Sequence, residues 1–147
     1  MKFSEITHKN YLFVVLADPD KALKIVEKHP DWAVEICKTL YKVSSKTNII
    51  EIVESLIEID IKIIVEIIKA IKKDIYLIAG IMKKLPIYLI VIIMKEFSEE
   101  EILDIIGTLF SSDQDLAIKI IEEIPCDPHK IYQKNLLMMR EHYKIEK

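Results

Sequence analysis

At 147 residues, 51% hydrophobic and 31% charged, with a formal net charge of −3 and only two glycines, the chain has the bulk to build a core of its own. This composition excludes a disordered segment, a collagen-like rod and a turn-rich β sandwich. Charges of both signs are spread along the whole length, so no basic patch offers itself to a phosphate backbone and no nucleic-acid partner is expected.

Thirty residues are isoleucine, Arg140 is the single arginine among 21 basic residues, and glutamine and asparagine are scarce. That balance suits a heat-adapted protein, although an A+T-rich coding sequence gives the same bias. Cys37 and Cys126 stand apart, with no C-x-x-C and no histidine at metal-site spacing, so both read as buried, inert thiols.

Residues 1 to 17 read as an N-terminal cap. Their apolar run, Tyr11 to Leu16, is too short for a secretory signal and no small-residue cleavage site follows, which points to a cytoplasmic protein. From residue 18 the chain repeats itself. DPDKALKIVEKHP (18 to 30) returns as DQDLAIKIIEEIP (113 to 125), with Asp, Asp, Ala, Lys, Ile, Glu and Pro at identical offsets. Weaker copies begin near Pro30 (PDWAVEICKTL), Ser45 (IIEIVES), Asp60 (IVEIIKA), Asp74 (IAGIMKK), Leu85 (LIVIIMK) and Ser98 (ILDIIGT), giving eight units across residues 18 to 125.

Within a unit the apolar residues fall at i, i+1, i+3 and i+4, as in Ala22, Leu23, Ile25 and Val26, which makes one broad stripe on a helix. Asp18, Asp60, Asp74, Asp113 and Asp127 stand where an N-cap carboxylate would accept from unpaired backbone N–H groups, and Ser98 with Glu101 spells a capping box. All five prolines (19, 30, 86, 125 and 128) lie at proposed boundaries. The run Ile57 to Ile63 alternates as a strand would, but the repeat template places a helix break at Asp60, and a break between helices mimics alternation. Helices this short are unstable alone and must stack. The expected fold is therefore all-α, one domain over 1–147 made of about eight to ten short helices in a superhelical, α-solenoid-like stack. Residues 126–147 form its C-terminal cap helix and tail.

The pattern LPIYLIVIIMKEFSEEEILDIIGTLFSSDQDLAIKIIEEIP resembles the short-helix superhelical N-terminal domain of MgtE-type magnesium transporters and related segments of the flagellar switch protein FliG; HEAT-like repeats are nearly as similar. The resemblance covers roughly residues 18 to 125 and implies an architecture, and with it a peripheral regulatory or cation-sensing role as an alternative function. It carries over no functional residue: no transmembrane segments and no CBS-like domain follow, and the acids are balanced by lysines.

Little in the sequence supports catalysis or a cofactor. His8, His29, His129 and His142 form no i, i+4 pair, and the isolated Gly80 and Gly107 form no phosphate loop and read as close-packing positions. Glu99, Glu100 and Glu101 open a helix, where the macrodipole favours negative charge, so they need no metal to explain them.

Two features point outward instead. Trp32 stands in a polar slot of the template, either as an anchor for a partner or as a wedge between helices. Leu85 to Met94 supplies ten consecutive apolar residues, half of what a membrane span needs, and carries Val91 where five other units carry a charge (Lys24, Glu51, Glu66, Asp104 and Lys119). Its normally wet face is apolar, which places Ile87, Tyr88, Val91 and Met94 near a contact surface. The expected function is a non-catalytic protein-interaction scaffold, self-associating or binding another protein.

Overall fold

A computed structural model describes residues 5–124 of the chain. They form nine α-helices, and no strand occurs among the described residues. Of the described residues, those up to Lys73 pack as one compact unit and those from Asp74 as a second.

The first unit contains α1 (Tyr11–Ala17), α2 (Ala22–Lys28), α3 (Ala33–Lys42), α4 (Lys46–Leu56) and α5 (Ile61–Ala70), with 3₁₀ turns at Pro19–Lys21 and Pro30–Trp32 leading into α2 and α3. Each helix packs against the next but one: α1 lies on α3, α3 on α5, and α2 on α4, while α4 also touches its sequence neighbours α3 and α5. The second unit contains α6 (Ile75–Met82), α7 (Ile87–Met94), α8 (Glu99–Ser112) and α9 (Gln114–Glu123), and the same relation recurs as α6 on α8 and α7 on α9. Every one of the eight sequence units carries one helix, α2 to α9.

Local chemistry sets the boundaries. The Asp74 side chain accepts from the Leu77 N–H at 3.0 Å and Asp113 accepts from that of Leu116 at 3.2 Å. At the start of α8 both halves of the capping box form, Ser98 Oγ accepting from Glu101 N at 3.2 Å and Glu101 Oε1 from Ser98 N at 2.8 Å. Such caps contribute about 1 kcal/mol each, which matters for helices of eight to fourteen residues that propagate poorly alone. Pro19 and Pro30 occupy first-turn positions, where no backbone N–H is missed, and Pro86 precedes α7 in extended conformation. Pro125, Asp127 and Pro128 lie outside the described residues.

The alternating run resolves as a break. α4 ends at Leu56, and Asp60 is extended and accepts from the Lys62 N–H at 2.9 Å before α5 begins. The end of α3 uses a device the sequence hides. Ser45 N donates to Leu40 O at 2.9 Å and Ser44 N to Tyr41 O at 3.1 Å, a Schellman motif in which Ser44 takes the left-handed conformation at φ 60°.

The stripe of each unit forms the interior. Ile25, Ile36, Leu40, Ile49, Ile52, Leu56, Ile64 and Ile67 fill the first unit, and Ile78, Ile81, Leu89, Ile93, Ile105 and Leu109 the second, all essentially without solvent exposure. Each such side chain contributes about 1.5–3 kcal/mol relative to an exposed one. Among the described residues no polar or charged side chain is buried. Cys37 lies inside this interior, and desolvation pushes its thiol up to about 12. A thiol so protonated is neither nucleophile nor ligand; Cys126 lies outside the described residues.

Candidate interaction surface

Helix α7 is built from eight residues without a charge, Ile87 to Met94. Its buried side is Leu89, Ile90, Ile93 and Met94, a contiguous arc on a helix of 3.6 residues per turn. The opposite side is apolar as well: Tyr88 is 55% and Ile92 40% exposed, one turn apart, and Ile87 and Val91 flank them half-buried. Three of the four residues expected near a contact surface on α7 therefore hold partly or fully exposed positions. Met94 does not. It is 1% exposed, because it lies one turn on from Ile90 and so joins the inward arc. Ile92, its replacement on the surface, is legible as the i+4 neighbour of Tyr88.

The surroundings of this strip are charged and uneven. Lys83 and Lys84 precede α7, while Lys95, Glu96, Glu99 and Glu100 follow it, and all six are exposed. The stretch is basic at its start and mainly acidic at its end.

Three further exposed apolar residues escaped the template. Phe13, at 72%, and Leu16, at 49%, project from α1, and Tyr76, at 82%, from α6. The available signal is the same as for α7: the segments YLFVVLA and IYLIAGIM contain no charge to mark a wet face.

Trp32 has a different fate. The His29 ring lies 3.9 Å from it at an interplanar angle of 12°, and the Tyr11 ring 4.5 Å away at 25°. Two rings at those distances cannot fit side by side on one face, so the indole is sandwiched between them. His8 completes the cluster, its ring 6.0 Å from that of Tyr11 and 6.1 Å from that of Trp32. Tyr11 reaches in from α1 and is nearly buried; desolvation, then the charges of Glu35 and Asp31, hold its phenol above the ordinary value. Trp32 is thus engaged within its own chain, between rings from α1 and from the end of α2, and is partly exposed. His129 and His142 lie outside the described residues.

Among the described residues no group of three or more His, Cys, Asp or Glu side chains is gathered so as to hold a metal ion, and Glu101 is engaged in the capping box. Nor is any described helix long and apolar enough to cross a membrane. Compared with known family models, curated proteins and solved structures, the chain finds no match in any of the three. The likeness to MgtE-type, FliG-type and HEAT-like short-helix domains rests on the residue pattern alone.

Proposed function

We propose that this protein is a non-catalytic protein-interaction scaffold of short helical repeats, working in the cytoplasm and binding its partner through the outer face of α7. The carrying observation is the Tyr88–Ile92 strip: a helix already buried along one side keeps large apolar side chains on the other, with no charge between them. Aromatic and branched apolar residues inside a charged rim are the composition of an interaction patch. The short-helix resemblance supports the same reading, since stacked short helices present extended surfaces to partners. The cation-sensing alternative draws no support from the described residues, where no metal-holding group is gathered.

Ile118 of α9 provides a matched control, being 40% exposed like Ile92 but set among Asp115, Lys119 and Glu122. Immobilised wild-type, Ile92→Glu and Ile118→Glu proteins are challenged with native extract, and bound proteins are quantified by mass spectrometry. Binding retained by Ile118→Glu and lost by Ile92→Glu supports the proposal. Equal recovery on all three surfaces overturns it.

A further inference from the structure

We infer that the partner of the α7 face is a second copy of this chain, docked antiparallel about a two-fold axis. The inference rests on the reading of α7 as an interaction surface and adds the identity and orientation of what covers it.

The argument is charge complementarity along one stretch. Where the two-fold axis crosses α7 at right angles, an isologous contact presents the same surface twice in opposite directions, so whatever precedes α7 in one copy meets whatever follows it in the other. Lys83 and Lys84 stand exposed before the helix, and Glu96, Glu99 and Glu100 stand exposed after it. Antiparallel docking brings the two lysines of each copy to the three glutamates of its mate, at both ends at once. Parallel docking would set like against like at each end. Lys95 is the one exposed charge of the wrong sign at the acidic end, and the three carboxylates outnumber it.

The apolar strip has the same symmetry. Tyr88 and Ile92 lie one turn apart, and the midpoint between them falls near the centre of a helix of eight residues, about 12 Å long. In the antiparallel arrangement Tyr88 of each copy lies over Ile92 of the other, an aromatic ring on a branched aliphatic side chain at both contacts. The opposed helix directions also bring the positive end of each helix toward the negative end of its mate. A membrane surface fits less well, because an anionic bilayer that attracted Lys83 and Lys84 would repel Glu96, Glu99 and Glu100.

Size sets the strength. Two large and two half-buried side chains fall well short of the roughly 800 Å² per partner of a standard interface, so the rim charges carry a substantial share and the dimer is weak and salt-sensitive.

Sedimentation equilibrium on the purified full chain tests this. The average mass is expected to rise from monomer toward dimer with concentration, and added salt should weaken association several-fold. Ile92→Glu should abolish it while Ile118→Glu and Phe13→Glu leave it unchanged. The Lys83→Glu/Lys84→Glu and Glu96→Lys/Glu100→Lys variants should each be monomeric, yet an equimolar mixture of the two should dimerise, with circular dichroism confirming that each is folded. A wild-type chain monomeric throughout overturns self-pairing and leaves the interaction reading to its own test with extract. A dimer indifferent to the charge reversals, or one lost with Phe13→Glu and kept with Ile92→Glu, also overturns it, as does vesicle binding through α7 by a chain that stays monomeric.

Discussion

His29 lies flat against Trp32, ring centroids 3.9 Å apart and planes within 12° of parallel. His29 ends α2 and Trp32 ends the 3₁₀ turn that opens α3, so the stack clamps the link between two helices. With Tyr11 of α1 on the other face, one indole joins three consecutive helices of the first unit.

Truncating this clamp should be costly. Trp32→Ala is expected to lower unfolding free energy by about 2–3 kcal/mol, and His29→Ala by about 1 kcal/mol, as for loss of one stacked pair. Urea denaturation followed by circular dichroism measures both. A Trp32→Ala loss below about 0.5 kcal/mol would show that the sandwich contributes no more than an ordinary surface contact.

Ser44 holds a conformation that a side chain disfavours, at φ 60°. Ser44→Gly should stabilise the protein by about 1 kcal/mol, because glycine reaches the left-handed region without a Cβ clash while both Schellman hydrogen bonds persist. An unchanged or lowered thermal midpoint would contradict this.

The two glycines should respond in opposite directions. Gly107 is buried in α8, which packs on α6 and α9, and Gly107→Leu should cost about 1–3 kcal/mol by overpacking. Gly80 sits part-exposed in α6 without a positive φ, so Gly80→Ala should raise stability by up to about 1 kcal/mol through helix propensity. Chemical denaturation of the pair decides whether both positions serve close packing.

Cys37 should make stability fall in strong alkali. Its thiol titrates near 9 when unfolded and is pushed up to about 12 by burial. The unfolded chain therefore loses its proton first, and the contribution, complete below pH 9, is lost as pH rises from about 9 to about 12. Tyr11, also raised, acts in the same direction. Cys37→Ala in a Cys126→Ser background should flatten part of that decline. In the same background, Cys37 should resist a thiol reagent at neutral pH until denaturant is added.

The local grammar of the fold was legible. Asp60, Asp74, Asp113 and the Ser98–Glu101 pair mark helix starts because a cap is a contact within a few residues, and the apolar spacing of each unit identifies its inward stripe. Contacts between distant residues were not. Nothing in the spacing of Tyr11 and Trp32 announces that their rings stack, since α1 falls outside the template. Met94 was misplaced because a helix apolar on every side gives no periodic clue to which arc faces inward. Serine at residue 44 concealed a helix stop that glycine would have advertised.

The next-but-one packing of the first unit limits how such a chain can change length over evolution. α1, α3 and α5 form one row, and α2 with α4 the other. Excising a single helix would transfer every later one to the opposite row and confront it with a surface shaped for something else. Removing or duplicating two in succession restores the alternation, so viable ancestors and descendants should differ from this chain by even numbers of helices.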